Sequence, residues 1–223
     1  MSLVLGVDDA GRGPLIGPMI LAGVLLNKNQ EAHLKDKGVA DSKLLSHPKR
    51  IELGKEIKEN SLKSYVVIAT PNEIDASITS GINLNTLEAM KIAKVINNLN
   101  IKNKKIKVIV DCPSVNTKTW RLKLLEFIEH IDNLEVLCEH KADFNHPSVS
   151  AASILAKVQR EEEVAKLKKI YGEIGSGYPS DPYTIKFLKE QGNKFKDAGI
   201  FRKSWATWKA LFPEKSQANL GDF

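Results

Sequence analysis

Two adjacent carboxylates, Asp8 and Asp9, follow an apolar run near the start of the chain and precede the segment 11–14, Gly-Arg-Gly-Pro. Like charges at the end of a strand repel each other, and a hard divalent cation between them removes the repulsion. Glycines carry no side chain and therefore let the backbone approach a ligand closely. Carboxylates beside a glycine-rich turn thus predict metal-dependent chemistry on a phosphate ester.

Two further aspartates share this context. Asp111 ends the apolar segment 107–111, and Asp143 follows the segment 135–138, so all these acids lie at or just beyond the ends of predicted strands. Sites in α/β proteins form at that edge of the sheet, and we expect the carboxylates to meet there. They could then hold two divalent ions about 3.5–4 Å apart, which activate a water and stabilise the leaving oxygen. Taken singly, each aspartate has an alternative role as the cap of a helix or turn.

The elements that must position these acids begin as a hairpin of strands and then alternate with helices. Strand patterns cover 3–9, 18–26, 64–69, 107–111 and 135–138, and helical patterns cover 46–60, 85–98, 117–130, 149–171, 183–191 and 203–211. This order predicts an α/β fold with a mixed five-stranded sheet flanked by helices. Asn85 and Glu88 resemble a capping box at the start of one helix. We expect one domain over 1–223, with a C-terminal helical extension at about 183–212 and a mobile tail at 213–223.

The composition is that of a folded protein, with 42% apolar and 27% charged residues. A net charge of +6 permits nucleic-acid binding without proving it. No run of about 18 apolar residues and no secretory signal is apparent, so we expect a cytoplasmic protein without a membrane partner. Cys112 and Cys138 make no disulfide framework, and two buried thiols are the favoured interpretation.

The segment 6–14, Gly-Val-Asp-Asp-Ala-Gly-Arg-Gly-Pro, resembles the opening motif of the archaeal type of ribonuclease HII, the type 2 ribonucleases H. The resemblance continues in the family's order through 41–43, 110–111, 141–143, 149–158 and 175–182. It implies a ribonuclease H-like fold and a monomeric endonuclease that hydrolyses the RNA strand of RNA/DNA hybrids. It also implies cleavage at ribonucleotides embedded in duplex DNA, leaving 5′-phosphate and 3′-hydroxyl ends.

The same resemblance assigns roles to the acids. By motif position, Asp8, Asp9, Asp111 and Asp143 would be the catalytic, metal-binding carboxylates, holding two Mg²⁺ or Mn²⁺ ions. The family has glutamate at the second of these positions, whereas Asp9 is shorter by one methylene, or roughly 1.5 Å. Because a misplacement of about 1 Å can cost about a hundredfold in rate, we expect an active enzyme with an altered metal preference.

The resemblance also assigns residues to the nucleic acid. Gly11, Arg12 and Gly13 would sense the 2′-hydroxyl, the group that separates RNA from DNA at a given sugar, through backbone N–H and C=O groups. Tyr178 would pack on the sugar of the next nucleotide, and its alternative role is a turn aromatic that covers a helix end.

Three more polar residues match positions that contact phosphate or sugar in the family: Lys43, Ser150 and Lys157. Such contacts position the duplex, and they make binding weaken with salt. Ser150 has a second interpretation as the N-cap of a helix that starts at residue 151. Basic and aromatic residues at 201–205 could contact the DNA strand of a hybrid, whereas core packing is the favoured interpretation for the rings of Trp205 and Trp208.

The chain ends with Gln217, Leu220 and Phe223 at a spacing that resembles the motif by which replication proteins bind the sliding clamp. Such motifs usually end in two aromatic residues, so the single phenylalanine predicts weak affinity. A disordered end is the alternative.

Two competing hypotheses remain for the whole chain. One is a binding protein for RNA/DNA hybrids whose catalytic site is weakened by Asp9. The other is a different nuclease or strand-transfer enzyme of the same fold, against which the segment 11–13 and Tyr178 count.

Overall fold

The computed structural model describes residues 3–39 and 45–213. Its strands are β1 (Leu3–Ala10), β2 (Met19–Asn27), β3 (Lys63–Ala69), β4 (Ile106–Asp111) and β5 (Leu134–Glu139). Its helices are α1 (Lys28–Asp36), α2 (His47–Asn60), α3 (Pro71–Thr79), α4 (Leu84–Leu99), α5 (Thr117–Leu125), α6 (Ala142–Asn145), α7 (Pro147–Tyr171), α8 (Pro182–Gln191) and α9 (Ala206–Leu211). Each strand that the sequence predicts is present, with bounds shifted by one or two residues.

The strands form one mixed sheet in the order β3-β2-β1-β4-β5. The β1–β2 and β2–β3 pairs are antiparallel, whereas β1 pairs with β4, and β4 with β5, in parallel. Parallel strands bring their carboxyl ends to one edge of the sheet. The ends of β1, β4 and β5, after which the predicted acids come, therefore meet at one edge, and the predicted α/β fold is confirmed.

Helices cover both faces of the sheet. Alternate residues of β1, including Leu5 and Val7, belong to the core that packs against α4, while the opposite face packs against α7. The close approach of α7 depends on Gly6, because a Cβ atom there would lie 2.1 Å from the Ser148 backbone. Among the described residues, no helix is long and apolar enough to cross a membrane.

A third apolar cluster joins the loop after β1 to the C-terminal helical extension. Leu15 and Ile16 are buried against Phe187, Phe201 and Trp208. The rings of Phe201 and Trp208 lie 4.8 Å apart between centroids, a distance at which aromatic pairs attract beyond their burial. The helical extension is therefore packed directly onto the glycine-rich opening motif.

The predicted start of α4 is wrong. Asn83, rather than Asn85, is its N-cap, and the Asn83 side chain accepts a 3.0 Å hydrogen bond from the Thr86 N–H. Asn83 offers the same amide oxygen two residues earlier, so the side chains of Asn85 and Glu88 are free for other contacts. Glu88 is fully buried, which a capping residue on a surface helix would not be.

Other differences concern short helices. The sequence patterns did not predict α1 or α3, both of which begin with a capping box. The helix predicted over 117–130 ends at Leu125, and α9 begins at Ala206 rather than at residue 203. Both cysteines are free thiols; Cys112 is buried as predicted, whereas Cys138 is only partly buried.

Candidate active site

Asp8 and Asp9 lie near the carboxyl end of β1 and point to opposite faces of the sheet. In the register, Asp8 pairs with Ala22, which belongs to the core beneath α7. Asp9 pairs with Leu21, which belongs to the core beneath α4. Successive side chains of a strand alternate between faces, so the two acids approach the edge from different sides.

Asp111 and Asp143 join Asp8 at this edge. Asp111 is the last residue of β4, and its Oδ1 accepts a 2.8 Å hydrogen bond from the Ala142 N–H at the start of α6. This bond holds α6, and with it the buried Asp143, against β4. Lys141 has a left-handed backbone with φ 57°, which turns the chain from β5 into α6. The three elements thus bring the predicted acids to one edge of the sheet.

The acids interact strongly because they are buried together. Burial raises the pKa of Asp8 well above its usual range, and the charges of Asp9 and Asp111 raise it further. Burial also raises the pKa of Asp9 well above its usual range, and the charge of Glu88 raises it further. The ionised form of each acid is therefore costly here, because water does not screen its charge.

Glu88 is a fifth member of this acidic cluster, and the sequence reasoning missed it. Its side chain is fully buried, and burial raises its pKa to about 7. The signal in the sequence was a carboxylate within the apolar face of α4, next to Ala89 and one turn before Ile92. A buried carboxylate is costly unless it is paired, and such residues mark functional sites.

The donor set fits a hard divalent cation, since carboxylate oxygens are the ligands that Mg²⁺ and Mn²⁺ prefer. The mutual repulsion of Asp8, Asp9 and Asp111 is what such a charge would remove. In residues 3–39 and 45–213, no three His, Cys, Asp or Glu side chains already converge in a geometry that could hold an ion. Asp8 and Asp9 belong to opposite faces of β1, and the strongest charge acting on the Asp9 carboxyl is that of Glu88.

The raised pKa values predict how a cation changes stability with pH. An acid whose pKa is higher in the folded state binds more protons there, so folding loses free energy as pH rises from the unfolded to the folded pKa. For Glu88 this window runs from 4.5 to about 7. We expect the gain in melting temperature from saturating Mn²⁺ over EDTA to grow between about pH 5 and pH 7. A gain in melting temperature that is constant across this range would contradict the raised pKa of Glu88.

The glycine-rich loop beside the acids is held in place by hydrogen bonds to its backbone carbonyl oxygens. The buried guanidinium of Arg202 donates to the carbonyl oxygens of Gly11 (2.6 Å), Arg12 (2.7 Å) and Gly17 (3.0 and 3.1 Å). The indole N–H of Trp205 donates to the Gly13 carbonyl at 3.1 Å. All three carbonyls of the loop 11–13 are therefore bonded to the C-terminal segment.

Arg202 does not reach the DNA strand as predicted, because it is fully buried. Burial, and then the charge of Arg160, lower its pKa to about 9, so it remains a cation at neutral pH. Its fork of N–H donors suits several carbonyls at once, a task that a lysine ammonium cannot match. The sequence showed a basic residue among aromatic ones, but nothing in that pattern separates a buried arginine from an exposed one.

The side chain of Arg12 extends to α4. Its Nη1 pairs with Glu88 Oε2, and its Nη2 donates to Asn85 Oδ1 at 2.6 Å. Asn85 is itself held in place, because its carbonyl accepts a 3.2 Å hydrogen bond from the Trp120 indole. Arg12 thus fixes the loop to α4.

A cleft of about 670 Å³ runs beside the loop and the acid edge. Its walls include the loop 11–13, Lys157, Arg160 and Tyr178. The Tyr178 side chain is 41% exposed, and its ring lies against Gly13, where a Cβ atom would be 3.6 Å from Cε1. The Arg160 guanidinium lies 5.4 Å from the Tyr178 ring centroid and donates to the Ser176 carbonyl at 3.0 Å. The predicted ribose-sensing residues are therefore neighbours in one cleft.

Gly11 is needed at its position for two reasons. Its φ of +80° belongs to the left-handed region, and a Cβ atom there would lie 2.5 Å from Arg160 Cδ. The absence of a side chain allows Arg160 to cross beneath the loop and reach Tyr178.

The predicted N-cap role of Ser150 is wrong. It lies inside α7, three residues after the start at Pro147, so it is not the N-cap. Its hydroxyl is buried and donates to the Val39 carbonyl, which keeps it from solvent. Lys43 and the tail residues Gln217, Leu220 and Phe223 lie outside the described residues.

Known proteins resemble this chain over nearly its whole length. The sequence profile of the family described as Ribonuclease HII matches residues 5–208. Ribonuclease HII of Methanocaldococcus jannaschii is 42% identical over 228 residues, covering 98% of each chain. The crystal structure of ribonuclease H2 from Pyrococcus horikoshii superimposes with a TM-score of 0.85 at 39% identity, covering 94% of this chain and 96% of that one.

A second solved structure is a PCNA:RNase HII complex from Archaeoglobus fulgidus. It matches with a TM-score of 0.80 at 35% identity, covering 99% of this chain and all (100%) of that one.

Proposed function

Because this chain belongs to the ribonuclease HII family, we propose that its acid edge and glycine-rich loop together select and cut a phosphodiester next to a ribonucleotide. The chain is a ribonuclease H, an endonuclease that acts on the RNA strand of RNA/DNA hybrids and depends on metal. The proposal extends this activity to ribonucleotides embedded in duplex DNA. The observation that carries it is the cleft in which the loop 11–13, Tyr178 and Asp9 are neighbours.

We propose Asp8, Asp9, Asp111 and Asp143 as the ligands of two divalent ions, Mg²⁺ or Mn²⁺. When bound, such ions supply a nucleophilic water at neutral pH and stabilise charge on the phosphate. The burial of Asp8 and its repulsion by Asp9 and Asp111 support this assignment. The hydrogen bond from the Ala142 N–H keeps Asp111 at the edge, so this ligand is positioned before substrate arrives.

We propose that the loop 11–13 recognises the 2′-hydroxyl through its N–H groups. Arg202 and Trp205 occupy its carbonyls, so the amides are the donors that the loop has to offer to a ribose oxygen. The ring of Tyr178 stands beside this position and supports the proposal that it packs on the next sugar. Lys157 lines the same cleft, where a cation positions the phosphate backbone.

We propose that the described chain works as one catalytic domain that includes the helical extension. The support is the bonding of the loop 11–13 by Arg202 and Trp205, both from the segment between α8 and α9. A truncation before this segment would leave the loop carbonyls without donors.

The test of the proposed chemistry is cleavage of an end-labelled RNA/DNA hybrid with Mg²⁺ or Mn²⁺ and with EDTA. We expect internal cuts that need the metal and leave 5′-phosphate and 3′-hydroxyl ends. Tight binding without cutting would instead support the hybrid-binding alternative, which the ribonuclease HII relatives do not favour. Products with 3′-phosphate ends would contradict attack by a metal-activated water.

Asp9→Glu tests the metal preference. The added methylene restores the reach that the family has at this position, and we expect the ratio of Mg²⁺-supported to Mn²⁺-supported kcat to rise about tenfold. Metal titrations of both proteins on one hybrid substrate measure this ratio. Identical titration profiles would show that the shorter side chain has no effect on metal use.

We propose a sliding clamp as a partner through Gln217, Leu220 and Phe223. The support is the spacing of these residues and the similarity to a ribonuclease HII that was solved in a complex with PCNA. Removing residues 217–223 should lower clamp affinity at least about tenfold, the equivalent of 1.4 kcal/mol, as measured by calorimetry. Cleavage of a short hybrid by the truncated protein serves as the control and should be unchanged. Equal clamp affinity of both proteins would reject the partner site.

A further inference from the structure

Glu88 combines complete burial with incomplete pairing. One oxygen, Oε2, pairs with Arg12 Nη1. The other, Oε1, is buried and receives no hydrogen bond from an N–H or O–H group of the described residues. Buried polar oxygens almost always have a partner, and an exception indicates a function or an unseen ligand. Glu88 therefore differs from an ordinary structural ion pair.

The group that faces Glu88 is the carboxyl of Asp9. The two carboxyls lie close enough that each acts on the pKa of the other. Arg12 lies close enough to Asp9 that its charge also acts on that carboxyl. Asp9 thus lies near both a cation, Arg12, and an anion, Glu88. Arg12 is already ion-paired with Glu88.

We propose that Glu88 is a positioning residue that keeps Arg12 from capturing Asp9. This inference rests on the proposed role of Asp9 as a metal ligand. The ion pair with Glu88 and the hydrogen bond to Asn85 saturate one side of the Arg12 guanidinium. Without Glu88, Arg12 would be free to pair with Asp9, on whose carboxyl its charge already acts, and that pair would withdraw the carboxylate from the metal.

The arrangement also links the two halves of the opening motif. Glu88 contacts Asp9 on the metal side and Arg12 in the ribose-sensing loop, and both contacts come from one turn of α4. A shift of this turn would move the loop and the ligand together. In this proposal Glu88 is not itself a metal ligand, and it acts through Asp9.

The test is Mn²⁺ binding to the free protein. Binding is monitored as the loss of the electron paramagnetic resonance signal of aqueous Mn²⁺. We expect Glu88→Gln to weaken Mn²⁺ binding about tenfold, the lower end of the effect of a group that orients a metal ligand. In the hybrid assay, kcat should fall by a similar factor while KM changes less than about twofold. A merely structural role would lower the melting temperature and leave Mn²⁺ affinity unchanged.

The double variant Glu88→Gln/Arg12→Met separates capture by Arg12 from simple loss of charge. With no cation left to capture Asp9, we expect Mn²⁺ affinity to return to within about threefold of the original protein. Glu73→Gln is the matched control. Glu73 lies on α3, outside the acidic cluster, and pairs with Lys91 of α4, the helix that carries Glu88. This variant should not change Mn²⁺ binding.

Two results would overturn the inference: an unchanged Mn²⁺ affinity in Glu88→Gln, or a double variant that stays as weak as the single one. Failure of the proposed function looks different, because the unaltered protein would then fail to cut the hybrid with any metal.

Discussion

Asp8→Asn is expected to lower kcat for hybrid cleavage by about a thousandfold or more. The charges of Asp9 and Asp111 act on the buried Asp8, and losing it would remove a proposed ligand of ions that supply several kcal/mol of transition-state stabilisation. A loss of about 4 kcal/mol corresponds to this factor. Single-turnover cleavage at saturating Mn²⁺ measures it, with the exposed Asp132→Asn as a control that should retain full activity.

The same substitution should stabilise the metal-free protein. Burial and the charges of Asp9 and Asp111 make an ionised Asp8 costly, and a neutral amide of the same size avoids that cost. We therefore expect a higher melting temperature than the original protein in EDTA near neutral pH. Loss of both activity and stability would show that Asp8 is a structural residue, contrary to its assigned role.

Arg202→Met is expected to have the largest effect on the fold around the site. The variant leaves the carbonyls of Gly11, Arg12 and Gly17 without their buried donor. A buried acceptor that loses its partner costs about 1–3 kcal/mol, so we expect the free energy of unfolding to fall by about 3 kcal/mol or more. Urea unfolding measures this, and Lys203→Met, at the exposed neighbouring residue, is the control.

Arg202→Lys should recover little of the loss, because an ammonium group cannot bond carbonyls in the planar fork that a guanidinium provides. The surviving folded fraction should also discriminate less between ribose and deoxyribose, since the loop 11–13 is no longer fixed. A lysine variant with full stability and full discrimination would contradict the role of Arg202 in holding the loop.

The sequence predicted the part of the site that lies on strands. Asp8, Asp9 and Asp111 follow apolar runs, and an apolar run ending in an acid indicates both a buried strand and the edge to which it leads. The predicted five-stranded sheet is confirmed for the same reason, since each strand carries its own apolar pattern. The alternation along β1 also fixes which face each acid points to, once the register is known.

The residues that support the site could not be predicted in the same way. Glu88 and Arg202 act through partners that are 76 and about 190 residues away in the chain. No local pattern encodes such contacts, because the burial of a charged side chain depends on which elements pack over it. Ser150 shows the reverse case, where a motif position predicted a contact with substrate and the packing of α7 buried the hydroxyl.

We propose that the opening motif has two functions: Asp8 and Asp9 bind the metal, and the loop 11–13 recognises the ribose. The most direct test is cleavage of two DNA duplexes that differ in a single 2′-hydroxyl, each titrated with Mn²⁺. We predict metal-dependent cutting beside the ribonucleotide and no cutting of the all-deoxy duplex. Equal cutting of both duplexes, or cutting of neither while an RNA/DNA hybrid is cut, would contradict the claim.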